Sequence, residues 1–370
     1  MTPLARLLRR EIAANGPMPV ARFMAAALGH PQFGYYAGAA AASEEPLGRD
    51  GDFITAPEIS QVFGELLAVW CLAVWRAMGE PWPLSLVELG PGRGTLLADL
   101  WRTVAMLAGD FVGALRLHLV ETSAALRARQ RATLGGLSPL PPLFWHEHID
   151  EVPPGPALTI ANEFLDALPV EQYVRDAGVW RERCVSVEGA DFVFGLGTAV
   201  DPQSRPDLAG LPEAADGTLI ERCPAAEHLV ATLAGRLAKD GGAALVIDYG
   251  PARSAPGETL QAVRSHRPEQ PLADPGAVDL SHHVDFERLA QAATAAGAQV
   301  WGPVPQGLFL GRLGIAERAA ALAAASPEQA DTLEGAIRRL VHPGRMGLLF
   351  KALAIGQAAL PPPPGFARNR

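Results

Sequence analysis

Leu86-Val87-Glu88-Leu89-Gly90-Pro91-Gly92-Arg93-Gly94-Thr95 is the stretch that decides the fold. An apolar run ends in a glycine-rich turn, and a helical pattern starts at Thr95 and continues to Leu107. Glycines admit positive φ and let a ligand approach the backbone, while the N–H groups at a helix start have no partner inside the helix. A nucleotide-like ligand is therefore expected on this turn, with a tight ligand-free turn as the plain alternative. Dinucleotide-binding turns space their glycines G-x-G-x-x-G, whereas Gly90, Gly92 and Gly94 alternate and the acid Glu88 precedes them by two residues. A carboxylate there is poorly suited to a pyrophosphate and well suited to the ammonium group of S-adenosyl-L-methionine. Glu88, Gly90, Pro91, Gly92, Gly94 and Thr95 are the expected cofactor turn.

Working outward, Leu115 to Val120 is a second apolar run that ends on Glu121. In mononucleotide-type folds an acid at that place takes both ribose hydroxyls; the alternative is an ordinary acid at a helix start. Leu84–Leu89, Leu115–Val120, Leu158–Ala161 and Ala243–Ile247 alternate with helical stretches at Thr95–Leu107, Ser123–Leu134 and Ala225–Lys239. That rhythm predicts an α/β fold, a Rossmann-like doubly wound and mostly parallel sheet. Residues 170–220 break it: Val170–Val174, Val179–Val187 and Asp191–Leu196 alternate like antiparallel strands, which reads as an inserted β region. The Pro- and Gly-rich stretch from Gly250 to Gly276 is too long for a simple connection and reads as a functional or mobile loop. Residues 314–341 return to helix, and Gly347–Ile355 reads as a last strand.

Residues 1–80 read as an N-terminal helical subdomain and lid, with 81–370 as the core that carries the insertion. A first helix ends near Asn15, a second runs from Pro19 to Leu28, and a third starts after Thr55, with Thr55 as N-cap and Pro57 in the first turn, and continues to Met78. Arg6, Arg9 and Arg10 raise the question of a transit peptide, but Leu4, Leu7, Leu8 and Ile12 form a helical stripe closed by Asn15-Gly16-Pro17. Tyr35, Tyr36, Asp52, Phe53, Thr55, Pro57 and Glu58 combine aromatic surface with a few polar groups, the makeup of a binding wall, against the alternative that Tyr35 and Phe53 only pack in a core. Thr55, Pro57 and Glu58 are counted with the cofactor residues.

Composition limits the function. Lys+Arg 31 against Asp+Glu 40 leaves a net charge of −9, which argues against a nucleic-acid binder that works by neutralising phosphates. Hydrophobic residues make up 49%, enough for a buried core and against disorder. Lys239 and Lys351 are the only lysines, a bias that fits a GC-rich bacterial genome. The three cysteines form no C-x-x-C, so neither a disulfide framework nor a zinc site is expected, and a reducing bacterial cytoplasm fits. The longest apolar run, Leu66–Trp75, is about half of what a bilayer span needs.

The string from Gly51 through Thr55-Ala56-Pro57-Glu58 to Glu65, then Glu88–Thr95, Asn162-Glu163-Phe164-Leu165-Asp166, Ile247-Asp248-Tyr249-Gly250, His283-Val284-Asp285-Phe286, Gln306–Phe309 and Met346–Lys351 resemble, in order and over nearly the whole chain, the MidA family. The resemblance implies a class I S-adenosyl-L-methionine-dependent methyltransferase. The mitochondrial relatives methylate protein arginine, assisting assembly of respiratory complex I by symmetric dimethylation of a core subunit, so a protein substrate and, more remotely, such a subunit are implied. One departure is His282, where the family has a small residue before the histidine. His282-His283-x-Asp285 and His146-Glu147-His148 are weak as metal sites, since adjacent ligands on an extended chain point to opposite sides, and no metal is expected.

At the carboxyl end of the strand closing on Ala161, Asn162 and Glu163 are expected beside the transferring methyl group. A guanidinium has a pKa above 12, so its methylation calls for carboxylates that hold the fork and take the released proton. Glu163 suits that task. Asp166 is expected to reach the same side or to cap a helix, and His283 is read as a pocket residue or as a structural histidine. Two rival functions are a non-enzymatic factor that binds S-adenosyl-L-methionine and escorts a respiratory subunit, and a nicotinamide-dependent oxidoreductase, which the glycine spacing disfavours. The oligomeric state stays open, a homodimer included.

Overall fold

The computed structural model describes residues 1–36, 54–201, 203, 205, 214–264 and 266–366. The chain divides into two compact units: one gathers the described part of Met1–Phe53 with Asp166–His228 and Arg253–Val284, the other gathers Ile54–Leu165, Leu229–Ala252 and Asp285–Arg370.

The second unit is built on a seven-stranded sheet. We number its strands β1 (Leu84–Leu89), β2 (Leu115–Val120), β3 (Leu143–His146), β4 (Ala157–Asn162), β5 (Gly242–Tyr249), β6 (Gln299–Pro305) and β7 (Phe350–Gly356). Their spatial order is β6-β7-β5-β4-β1-β2-β3, and only β7 runs against its neighbours. This is the mostly parallel, doubly wound sheet expected, with the order reversing beside β1. β1 and β5 are buried on both faces, which is why they read as nearly continuous apolar runs. The helices Gln61–Ala77 and Thr95–Leu107 pack closely at Gly64, where a Cβ would lie 2.6 Å from the Cβ of Asp99. Phe63, Trp70, Trp101 and Phe111 fill the core on that side.

The boundary expected at residue 80 is not where the units divide, because the Gln61–Ala77 helix buries its apolar face in the core of the sheet unit. The single helix expected from Thr55 to Met78 is two, Ala56–Ile59 and Gln61–Ala77. Ser60 breaks them with an extended backbone, φ −160° and ψ 134°, and its hydroxyl accepts from Val62 N–H, the cap role expected of Thr55. The 314–341 helix is likewise two, Ile315–Ala325 and Ala330–Val341, parted at Ser326-Pro327. β3 and β6, the two edge strands, were not foreseen.

The other unit carries the antiparallel insertion. Val179–Glu188 pairs with Glu171–Asp176 through the turn Ala177-Gly178, both at positive φ, and with Asp191–Val200, while Leu219–Arg222 pairs with Glu171–Val174. The Gly250–Gly276 stretch is not simply a loop: Gln261–Arg264 pairs antiparallel with Arg267–Glu269 and with Asp279–Ser281. Helices Pro3–Asn15 and Val20–Gly29 bury Leu4, Leu8, Ile12, Phe23 and Met24 in a core shared with Leu260 and Leu280.

Candidate functional site

The turn after β1 adopts the backbone its glycines allow. Gly90, Gly92 and Gly94 have φ of 60°, 53° and 83°, and Gly94 N–H closes the turn onto Pro91 O at 2.7 Å. At Gly90 space matters as well, since a Cβ would lie 2.4 Å from Cδ2 of Phe164. Gly90 N–H also donates to Val120 O at 3.0 Å, which sets the turn beside the end of β2. Thr95 opens the following helix and donates its hydroxyl to Glu58 Oε1 at 2.5 Å, while Arg93 lies 3.6 Å from Glu58 Oε2. Glu58 thus braces the turn from the Ala56–Ile59 helix. Pro57 is buried in that helix, and Thr55 stands at its N-cap without a side-chain capping bond among the described residues. Asp52 and Phe53 lie outside the described residues.

Two acids flank the turn. Glu88 is buried in β1, and burial raises its carboxyl from an ordinary 4.5 to about 8. Its Oε2 has no hydrogen-bond partner among the described residues. Glu121, just past β2, accepts from Ser123 N–H at 2.8 Å through Oε1 and from Gln130 Nε2 at 3.3 Å through Oε2. Burial raises its pKa, and those hydrogen bonds oppose the rise. Gln130 was not singled out in the sequence. It is fully buried, donates through Nε2 to Gly92 O at 2.8 Å as well as to Glu121, and accepts from Trp145 Nε1 at 2.9 Å, so one amide ties the glycine turn to the acid after β2.

The end of β4 is held by long-range bonds. Glu163 sits in the left-handed region, φ 49°, and its N–H donates to Ile247 O at 2.8 Å. Its Oε1 accepts from Ala56 N–H at 2.7 Å and from Asn162 Nδ2 at 3.2 Å. Asp248, fully buried at the end of β5, accepts from Phe164 and Leu165 N–H through Oδ2 at 3.2 and 3.0 Å and from Tyr249 N–H through Oδ1 at 2.9 Å. It fixes the path of the turn that carries Glu163, and sequence reasoning gave it no role.

Glu58, Glu88, the Gly90–Thr95 turn, Glu121, Asn162 and Glu163 all lie in the sheet unit; Asp166 and His283 belong to the other. Asp166 stands on the short turn Leu165–Ala167, and its carbonyl accepts from His282 N–H at 3.0 Å. In the same unit Tyr36 donates its hydroxyl to Asp279 Oδ1 at 3.0 Å, and burial, then the charges of Asp279 and Asp166, raise its pKa. His283 N–H donates to Thr259 Oγ1 at 2.8 Å. The buried His282 ring places its nitrogens 3.0 Å from the carbonyls of His283 and Leu168. His146 pairs with a neighbour on β2, His118, at 2.9 Å, and burial lowers His118 to about 4. Among the described residues no cluster of three or more His, Cys, Asp or Glu side chains is set to hold a metal, and no helix is long and apolar enough to cross a membrane.

A buried acceptor with no partner among the described residues, two residues before a glycine turn and followed just past the next strand by a buried acid, fits a nucleoside ligand with a cationic end. Comparison with known proteins agrees. Residues 66–304 match a family described as "Putative S-adenosyl-L-methionine-dependent methyltransferase". The chain is 38% identical to the mitochondrial protein arginine methyltransferase NDUFAF7 homolog of Drosophila melanogaster, over 95% of this chain and 84% of the fly protein. It is 34% identical to mitochondrial protein arginine methyltransferase NDUFAF7 of Homo sapiens, over 96% of this chain and 83% of the human one. A crystal structure of a Burkholderia thailandensis protein bound to S-adenosyl-homocysteine superposes with a TM-score of 0.86 at 33% identity, covering 99% of this chain and 95% of the other.

Proposed function

The chain belongs to the MidA family of S-adenosyl-L-methionine-dependent methyltransferases, and from that premise we propose that its methyl acceptor is an arginine side chain of a protein. When bound, the cofactor supplies an electrophilic methyl group on sulfur. In this reading Glu88, the turn from Gly90 to Thr95 and Glu121 hold it, and Thr55, Pro57 and Glu58 support the turn. The observation that carries the arginine assignment is the carboxylate of Glu163, pinned at the carboxyl end of β4 by Ala56 N–H and Asn162 Nδ2. A preorganised carboxylate can hold a guanidinium fork, keep positive charge on the far nitrogens and take the proton that methylation releases. The names of the fly and human relatives support the same acceptor. Asp166 and His283 belong to the other unit, and the proposal rests on the sheet unit alone.

The family resemblance extends the proposal to symmetric dimethylation of a respiratory complex I subunit. Mass spectrometry of complex I subunits from cells with and without the gene tests both parts: loss of one dimethylarginine supports them, and an unchanged methylation pattern overturns them. With the acceptor in hand, Glu163→Gln is expected to keep cofactor affinity and lose most turnover. The glutamine amide still offers Ala56 an acceptor oxygen while the charge is gone.

A further inference from the structure

Two buried acceptor atoms without a partner among the described residues stand at the carboxyl ends of adjacent parallel strands, Glu88 Oε2 on β1 and Asn162 Oδ1 on β4. Glu88 is 4% exposed and Asn162 9%, so water does not readily satisfy either. In the register of the two strands Glu88 lies opposite Ile160. Successive side chains on a strand alternate between faces, so Ile160 and Asn162 project from the face that carries Glu88. The two orphans therefore share one face of the sheet, two residues apart along it, next to the glycine turn.

The orientation of the Asn162 amide follows from its neighbour. Its side chain lies 3.2 Å from Glu163 Oε1, an oxygen that already acts as acceptor for Ala56 N–H at 2.7 Å. The NH2 group must face Glu163, which leaves the carbonyl oxygen as the atom on offer. Glu163 is in turn anchored by Ala56 N–H at 2.7 Å, so the amide is held and not free to flip. What the pair lacks is a donor, and a group with several donors and no acceptor satisfies both atoms at once.

We infer that Asn162 Oδ1 and Glu88 Oε2 together receive the α-ammonium group of the cofactor, Asn162 as the neutral acceptor and Glu88 as the charged one. The inference rests on the cofactor reading above and not on the arginine acceptor. It moves Asn162 from the methyl-acceptor side to the cofactor side, and it gives Glu163 a positioning role as the group that aims the amide. It also connects the start of the Ala56–Ile59 helix to the ammonium through two hydrogen bonds, Ala56 to Glu163 and Asn162 to Glu163.

The test is calorimetric titration of the full chain, with no methyl acceptor present, using S-adenosylhomocysteine and its analogue lacking the α-amino group. Asn162→Ala is expected to weaken S-adenosylhomocysteine by at least about tenfold, as for a lost hydrogen bond to a charged group, and to leave the des-amino analogue within about twofold. Unchanged binding of the analogue shows at the same time that the site is still folded. Equal weakening of both probes, or no weakening of S-adenosylhomocysteine, overturns the assignment. If Asn162→Ala does not fold by circular dichroism, Asn162→Leu, which fills the volume without an acceptor, is judged by the same criterion. Failure of the arginine proposal would leave these titrations untouched.

Discussion

Replacing Glu88 by Gln is expected to make the protein more stable and less able to bind its cofactor. The side chain ionises at about 8 in the fold against 4.5 ordinarily, so between these values the native chain keeps a proton that the unfolded chain has released. A native state that binds more protons than the unfolded one loses stability as pH rises. At 1.36 kcal/mol per unit, the rise from pH 4.5 to pH 7 removes about 3 kcal/mol through this group alone. Glu88→Gln cannot lose a proton, so urea unfolding midpoints of variant and parent should separate steadily over that range. The slope of the difference is the measurement. A fixed offset from packing the amide cancels, as do the raised acids Asp99 and Glu121 that both proteins share. Binding should show the reverse side of the same linkage. An ammonium placed on the carboxylate forces it to ionise, so S-adenosyl-L-methionine binding at pH 7 should release about 0.9 proton from this group. Calorimetry in two buffers of different ionisation heat reads that number, and it should vanish in the variant. Parallel pH–stability curves, or equal proton release from both proteins, would refute the reasoning.

Glu121→Ala should weaken S-adenosyl-L-methionine by at least about tenfold, the loss of charge-assisted bonds to the ribose diol, read by calorimetry. Gln130→Leu, which need not touch the ligand, should also raise the dissociation constant, because it frees Gly92 O and leaves Glu121 and Trp145 each short of a bond; a chemical melt should show a cost of about 1–3 kcal/mol. Gly90→Ala combines positive φ with a Cβ 2.4 Å from Phe164, so a lower melting temperature and weaker binding are expected together.

What the sequence could show was whatever repeats locally. β1 and β2 match their apolar runs residue for residue because both strands are buried and bounded by turn residues, and the glycine turn is legible because only glycine sits easily at three alternating positive φ values. β3 was hidden because an edge strand is only half-buried and this one follows Leu140-Pro141-Pro142, a loop-like start. Gln130 was hidden for a different reason: in Leu126-Arg127-Ala128-Arg129-Gln130-Arg131 one polar residue looks like another, and only Trp145 and Gly92, brought up by the sheet, set it apart. Glu163 was found, but its bond to Ala56, 107 positions away, was not, because nothing local encodes it. Ser60 has the side chain of a cap just as Thr55 does, but no local pattern shows that the helix restarts there.

The place of β7 governs when the sheet can be finished during synthesis. It slots between β5 and β6, yet of the seven strands it is the last to leave the ribosome. About a hundred residues separate the end of β5 from the start of β7, which at about 5–20 residues per second is roughly 5–20 s of translation. Throughout that interval β5, whose side chains are nearly all buried in the finished fold, offers an unpaired apolar edge that another strand can join. Shielding that edge until β7 emerges is therefore what keeps the half-built sheet from pairing with another chain.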